Sequence, residues 1–233
     1  MRLLLQWLSW IVGLSLQWLV LSELFAGPWR RFPFLLIYAC CLALTTIADI
    51  ASYYLLGRTH PDYAASFWAA ELIRQSGLYC LVVSLISEVL RPSRSRRILI
   101  CLIVTAAVVF WGGSLALHHQ ASLNRWMTLV TRNLSLCTAG LNLFLWFTLI
   151  SREPRDLDRL MIAGGLGLQL TGEAVGQSIR GMQLSSSATI VGNIVVVLAH
   201  FLCLAVWWQA LLRMNAPRRE YDAGRGVRSL EVN

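Results

Sequence analysis

Charged side chains are scarce in this sequence, and one type, lysine, does not occur. Only 14% of the 233 residues are charged, and all 20 basic residues are arginine. Without a lysine amine, a retinal or pyridoxal Schiff base and a Walker-type phosphate loop are excluded. The six cysteines fall inside apolar segments, with no C-x-x-C pair and no histidine at metal-ligand spacing. We therefore expect neither a cofactor nor a metal site.

The motifs of common enzymes are missing as well. The sequence has no G-x-S-x-G, no H-E-x-x-H and no paired acids at metal spacing. No nucleophile stands beside a recognisable base. We expect no catalytic residues and predict that the protein is not an enzyme.

Long apolar runs dominate what is present. Hydrophobic residues make up 57% of the chain and the mean hydropathy is +0.60, beyond the range of soluble domains. A helix that crosses a bilayer needs about 20 mostly apolar residues, and seven such segments fill nearly the whole length. The sequence predicts an all-α membrane protein, a seven-transmembrane-helix bundle in one domain over residues 1–213. The predicted spans lie near 3–25, 33–56, 67–90, 97–117, 125–150, 159–180 and 188–213.

The first apolar segment has an alternative interpretation, a cleaved signal peptide, because Arg2 precedes it. Its length, its two glutamines Gln6 and Gln17, and the lack of a small-x-small cleavage site disfavour that interpretation. We therefore treat this segment as a span.

The arginines predict an orientation. The net charge is +8 and the pI about 9.7, which would suggest nucleic acid in a soluble protein. Here fourteen arginines lie in the connections on one side and four on the other. The positive-inside rule makes the richer side cytoplasmic, so the N-terminus faces out and the C-terminus in. We expect an integral protein of the inner membrane with the lipid bilayer, not nucleic acid, as partner. Residues 214–233 are predicted to form a short, disordered cytoplasmic tail.

Polar and ionisable side chains inside five predicted spans lie at one depth. At a rise of about 1.5 Å per residue, seven of them lie about 6–12 Å below the outer boundary: Asp49, Glu71, Arg74, Arg132, Asn133, Glu173 and Asn193. Because successive helices run in opposite directions, a common depth is expected only if the topology is right. The candidate ligand-binding residues are Asp49, Glu71, Arg74, Arg132, Asn133, Glu173, Gln177 and Asn193.

This layer contains more acids than bases. Glu71 and Arg74 are three residues apart on one helix and are expected to pair locally. Arg132 is then left for Asp49 or Glu173, because arginine stays ionised and donates two parallel hydrogen bonds to a carboxylate. One carboxyl group remains, to be protonated, hydrated or neutralised by a cationic ligand.

Two further patterns concern the later spans. Gly172-x-x-x-Gly176 predicts close helix contact, which would hold Glu173 and Gln177 against neighbouring helices. A weaker pattern, an inner polar cluster, would consist of Asn142, Gln169 and His200.

Short motifs are distributed along most of the chain. They are Phe32-Pro33-Phe34 with Tyr38, Tyr63 before Phe67-Trp68-x-x-Glu71, Arg132 leading to Gly140-Leu141, and the glycine-rich stretch 164–167 leading to Glu173. In these motifs the sequence resembles an uncharacterised family of small bacterial seven-span membrane proteins. The layout is also distantly similar to the seven-span sensory segment of some histidine kinases. The resemblance implies a bacterial seven-span fold and carries no activity with it.

Together these patterns favour a non-catalytic small-ligand binding or sensing module with a polar pocket in the outer leaflet half. Arg132 and Glu173 would anchor a small polar ligand, supported by Asp49, Glu71 and Arg74. A helix shift would then reach a cytoplasmic signalling partner. Two alternatives remain open, a small-molecule or proton-coupled transporter and a scaffold whose polar layer is purely structural.

Overall fold

The chain is all-helical wherever the structure describes it. The computed structural model describes residues 2–57, 60–90, 101, 105, 123–151, 156–181 and 186–230. Within these ranges there are six α-helices and one short 3-10 helix, which we call η1. They are α1 Arg2–Phe25, η1 Pro28–Arg30, α2 Pro33–Leu56, α3 Pro61–Val89, α4 Leu123–Ile150, α5 Leu157–Gly181 and α6 Ser186–Leu230.

Local sequence explains several helix ends. Pro33 and Pro61 stand in the first turns of α2 and α3, where a missing N–H costs nothing and the fixed φ favours the helix. Gly57 ends α2 with φ at +76°, a conformation that glycine adopts without strain. Asp156 precedes α5 and its Oδ1 accepts a hydrogen bond from the Arg159 backbone N–H at 3.2 Å, as an N-cap residue does.

Five of the described helices are long and apolar enough to cross a membrane. The qualifying segments are Gln6–Phe25, Pro33–Leu56, Asp62–Val89, Val130–Ile150 and Ile190–Ala216. The predicted span near 159–180 is a helix, α5, but its glycines and its three polar residues Gln169, Glu173 and Gln177 keep it outside this group. The predicted span near 97–117 lies outside the described residues, apart from positions 101 and 105.

The described helices form a closed ring. Each packs on the next in chain order, and α6 returns to pack on α1. The pair α1 and α6 runs parallel, because Gly13 faces Phe201 at one level and Glu23 meets Asn215 further along both helices.

Helices α3 and α4 also run parallel. Gln75 of α3 contacts Ser135 of α4, and further along each helix Ile86 shares a groove with Leu145. We call the end of the bundle that contains the N-termini of α1, α3, α4 and α6 the first end. The opposite end, with the N-termini of α2 and α5, is the second end.

Aromatic rings cluster at the first end. Trp7 and Trp10 of α1, Tyr53 and Tyr54 of α2 and Tyr63 of α3 meet edge to face, with centroid separations from 5.4 to 6.2 Å. Such pairs add about 0.5–1.5 kcal/mol each beyond burial. This aromatic cluster ties three helices together where the sequence predicts the outer membrane boundary.

An ion cluster occupies the second end. Arg31 contacts Asp156 at 3.0 Å and Asp158 at 2.8 Å, while Arg159 contacts Asp156 at 3.2 Å and Glu88 at 3.3 Å. The sequence did not predict these pairs, which join the start of α2 and the end of α3 to the start of α5. Arg31 is 45% exposed, so the cluster contributes little to stability and chiefly aligns the helix ends.

Helix α6 continues beyond the predicted boundary at residue 213. It reaches Leu230, where the sequence predicts a disordered tail from residue 214. Asn215 explains part of the difference, because it is buried and its Nδ2 donates to the Glu23 side chain at 2.8 Å and to the Glu23 carbonyl at 2.9 Å. This anchor in α1 holds the helix past the predicted end of the bundle.

Glycines bring α5 against α6. A methyl group on Gly172 would collide with the Ala199 side chain, and one on Gly176 would lie 2.7 Å from the Gly192 carbonyl oxygen. The predicted close contact through Gly172 and Gly176 is confirmed, and its partner is α6. Toward the second end, Trp207 fills the space beside Gly165 and donates from its indole Nε1 to the Ile162 carbonyl at 3.0 Å.

Candidate functional site

A connected row of polar side chains runs through the interior of the bundle and joins four helices. We call it the polar ladder. Its members, in the order of their contacts, are Asp49, Arg74, Glu71, Gln75, Ser135, Glu173, Gln169 and Tyr38.

The part of the ladder nearest the first end is ionic. Arg74 Nη2 lies 2.6 Å from Glu71 Oε2 and 3.6 Å from Asp49 Oδ2. The predicted local pair of Glu71 and Arg74 is therefore confirmed. These side chains are partly open to the surroundings, with exposed fractions of 15% for Asp49, 17% for Glu71 and 24% for Arg74.

Gln75 connects this ionic part to the interior. Its Nε2 donates to Glu173 Oε2 at 2.7 Å and lies 3.3 Å from Glu71 Oε1, while its Oε1 faces the Ser135 hydroxyl at 3.1 Å. One side chain on α3 thus contacts acids on α3 and α5 and a hydroxyl on α4. Gln75 is 1% exposed, so each of these contacts is shielded from solvent.

Glu173 is held by neutral donors. Its carboxyl group faces Gln75 Nε2 and the Ser135 hydroxyl at Oε2, and Gln169 Nε2 at 3.0 Å on Oε1. The two amide N–H bonds favour the ionised carboxylate, and the single Ser135 hydroxyl proton points either to Glu173 Oε2 or to Gln75 Oε1. None of these donors carries a positive charge. Burying a carboxylate costs much free energy unless a positive charge pairs with it. The lack of a cationic partner therefore distinguishes Glu173 from Glu71, which pairs with Arg74.

Tyr38 closes the ladder at its deepest point. Gln169 Nε2 lies 3.4 Å from the Tyr38 hydroxyl, and the Tyr38 ring meets Trp207 edge to face at 5.8 Å. Gly77 of α3 leaves room for the ring, because a Cβ there would stand 3.0 Å from Tyr38 Cδ2. Below this point the core consists mainly of Leu, Ile and Trp side chains from all six described helices.

The ladder has an excess of acid. The ladder contains three carboxyl groups, Asp49, Glu71 and Glu173, and one arginine, Arg74, which pairs with Asp49 and Glu71. The sequence predicts a surplus of one acid, because it assigns Arg132 to the layer. The structure raises the surplus to two.

Arg132 does not pair as predicted. It is half-buried on α4, it forms no ion pair with an acid in the described ranges, and its Nε is buried without a hydrogen-bond partner. The expected pairing with Asp49 or Glu173 is wrong, since Asp49 lies against Arg74 and Glu173 receives neutral donors.

Three other predicted residues lie beside or away from the ladder. Gln177 is buried one turn beyond Glu173 on the same face of α5, and Asn133 is half-buried on α4. Asn193 is exposed on α6. The predicted layer at one depth across five helices is therefore, in the described residues, a ladder that runs along four of them and descends to Tyr38.

The predicted inner cluster does not assemble. Gln169 belongs to the ladder, whereas Asn142 donates from Nδ2 to the Ala163 carbonyl at 3.2 Å. His200 is half-buried beside Phe201, with ring centroids 6.4 Å apart.

Gln75, Ser135 and Tyr38 belong to the ladder and were not among the candidate residues. A signal for Gln75 existed, because it follows Glu71 by four residues and so shares its helix face. By the same spacing Gln169 precedes Glu173. Serine and tyrosine in apolar helices carry no such signal.

The described part of the chain thus defines an all-helical protein of the multi-pass membrane class with an acid-rich polar ladder inside. Within that part, no group of histidine, cysteine and acidic residues is arranged to hold a metal ion. Comparison with family models, with curated proteins and with solved structures finds no match.

Proposed function

We propose that this protein is a seven-span inner-membrane module that binds a small ligand at the polar ladder and serves in sensing, without catalysis. The observation that carries the proposal is the acid surplus of the ladder at a partly open site. Charged groups inside a membrane domain are costly, so they mark functional sites by default. Here the cost is only partly offset by Arg74.

The parallel course of α3 and α4 supports seven spans. A chain that leaves α3 at the second end has to return to the first end before α4 begins at Leu123. The apolar segment predicted near 97–117 has the length for that crossing. The parallel pair α1 and α6 agrees with an odd number of crossings.

The arginine count supports an orientation with the first end outside. In the sequence, the fourteen arginines follow α1, α3 and α4 or lie in the C-terminal part of α6, and these four helices end at the second end, which is then cytoplasmic. In this orientation the part of the ladder with the partly exposed Asp49 and Glu71 lies nearest the outside. A ligand would reach it from there.

Cysteine labelling tests this topology. In a variant whose six native cysteines are replaced, Asp62→Cys at the start of α3 and Ser151→Cys after α4 introduce single exposed thiols at opposite ends. A membrane-impermeant maleimide added to intact cells is expected to label Asp62→Cys at once and Ser151→Cys only after permeabilisation. Equal labelling of both in intact cells, or the reverse order, would contradict the proposed topology.

Helix α5 offers a route from the site to the cytoplasmic side. It carries Glu173 and Gln169 in the ladder. Near its N-terminus, at the second end of the bundle, its Asp158 accepts a hydrogen bond from Arg31. A shift of α5 on ligand binding would change those exposed ion pairs, which a separate signalling partner can read. The carrier alternative has less support, since the interior beyond Tyr38 is packed mainly with large apolar side chains.

A thermal-stability screen of the protein in lipid nanodiscs tests the proposal. A ligand that binds the folded state raises the unfolding temperature with its concentration. We expect at least one small cationic, anionic or neutral probe to stabilise the wild type and to lose most of that effect in Glu173→Gln. Glu23→Gln is a matched control, because Glu23 is also buried in a helix but contacts Asn215 outside the ladder.

Two outcomes would count against binding. One is that none of the probes stabilises the wild type while Glu173→Gln unfolds at a lower temperature, which would leave the ladder as a structural connection between helices. The other is that stabilisation persists equally in Glu173→Gln and in Glu23→Gln, which would place the ligand elsewhere.

A further inference from the structure

The geometry of the ladder points to a ligand class, and we infer that the ligand is a small organic cation with N–H donors, such as a primary ammonium. This inference rests on the proposed function. It names the chemistry that the same site accepts.

Charge is the first reason. With three carboxyl groups and one arginine, the ladder repels an anion and offers little to a neutral molecule. In an interior of low polarity such a surplus favours the entry of a positive charge. An ammonium group would restore part of the balance without displacing Arg74.

A second, independent reason is an acceptor without a donor. Gln169 is 4% exposed, and its Oε1 is buried with no hydrogen-bond partner in the described structure. The same amide group contacts Glu173 Oε1 through its Nε2 at 3.0 Å. A buried amide oxygen without a partner costs about 1–3 kcal/mol, and a ligand N–H would satisfy it.

The Glu173 carboxyl group has an acceptor position left for the same donor. A carboxylate has about four acceptor positions; Gln75 Nε2 donates to Oε2, Gln169 Nε2 donates to Oε1, and the single Ser135 hydroxyl proton reaches either Oε2 or Gln75 Oε1. A position without a donor is on Oε1, next to the Gln169 amide. An ammonium group has several N–H bonds, so it can donate to Glu173 Oε1 and to Gln169 Oε1 together.

Aromatic rings lie one helical turn from the ionic part of the ladder. Tyr53 follows Asp49 by four residues on α2 and belongs to the aromatic cluster, where it meets Trp10 and Tyr63. Aromatic faces attract cations. A bare metal ion is a poorer fit, because in the described residues the three acids do not converge on one centre.

The test uses propylammonium chloride as the probe, with tetramethylammonium chloride and sodium acetate as matched salts. Tetramethylammonium has the charge but no N–H bond, and acetate has the opposite charge. In nanodiscs, propylammonium is expected to raise the unfolding temperature of the wild type saturably. Glu173→Gln is expected to weaken its apparent affinity about tenfold or more, while Glu23→Gln leaves it unchanged.

Gln169→Leu is a second variant that keeps the acid and removes the unpartnered oxygen. Its apparent affinity for propylammonium is expected to fall about tenfold, so the inference stays testable if Glu173→Gln does not fold. An equal effect of tetramethylammonium on the wild type would overturn the requirement for N–H donors. Stabilisation by acetate that is lost in Glu173→Gln would overturn the inference that the ligand is a cation, while the proposed binding function would stand. No stabilisation by any of the three salts would contradict both the inference and the proposed function.

Discussion

Gly172→Ala is expected to lower the free energy of unfolding by about 2 kcal/mol, the usual range for overpacking a tight contact. The added methyl group would meet the Ala199 side chain on α6, and the two backbones would have to separate. Unfolding by SDS in mixed micelles measures the change. The effect is large because this contact lies in the middle of the interface between α5 and α6.

Two further variants identify the cause. Ala199→Gly, added to Gly172→Ala, moves the methyl group from one helix to the other, and the atoms it would then meet lie 3.6 Å away, an ordinary contact. The double variant is expected to recover most of the lost stability. Gly140→Ala is the matched control, because nothing lies within 4 Å of a Cβ there, and we expect it to be neutral or to stabilise by about 0.5–1 kcal/mol. A double variant as unstable as Gly172→Ala would contradict the proposed contact.

Gln75→Leu is expected to cost about 3 kcal/mol. The substitution removes a donor to Glu173 and leaves a buried carboxyl group with fewer partners. Breaking such a contact is costly because the group left behind stays buried and uncompensated. The Gln75 contacts to Glu71 and Ser135 are lost at the same time.

The control is the same substitution in another helix. Gln17 is also buried, and its Nε2 donates to the neutral Thr46 hydroxyl at 3.2 Å, so Gln17→Leu is expected to cost about 1 kcal/mol or less. Combining Gln75→Leu with Glu173→Leu removes the charge as well and is expected to restore part of the stability. Equal losses in Gln75→Leu and Gln17→Leu, measured by SDS unfolding, would show that the charge of Glu173 does not matter.

Helix positions could be predicted well because apolar length and proline fix them. The predicted span 33–56 coincides with α2, whose ends are set by Pro33 and Gly57. The predicted start of the third span at residue 67 is six residues late, since α3 begins at Pro61. The first turns of α3 are polar, and a search for apolar runs does not detect them.

The sequence predicts the position of a candidate side chain along its helix but not its direction around the helix. Counting residues gives the height of a side chain along a helix, whereas its direction around the helix depends on packing. Glu71 and Arg74 were predicted to pair because one helix carries both. Gln75 and Glu173 are 98 residues apart in sequence, and only the packing of α3 on its neighbours brings them to 2.7 Å. Arg132 was assigned to the same layer, but its buried Nε has no hydrogen-bond partner.

The composition of α5 has a consequence for how the protein is built during synthesis. As the one described full-length helix that is not apolar enough to qualify as a span, it gains little from lipid by itself. Glu71 and Arg74 form an ion pair within α3, so the charges of that helix do not depend on another helix for pairing. The hydrogen-bond partners of Glu173 on α3 and α4 are synthesised before α5. The helix that packs against the α5 glycines, α6, is synthesised after it. In the proposed seven-span topology, stable insertion of α5 is thus a cooperative event that is completed only when α6 has been synthesised.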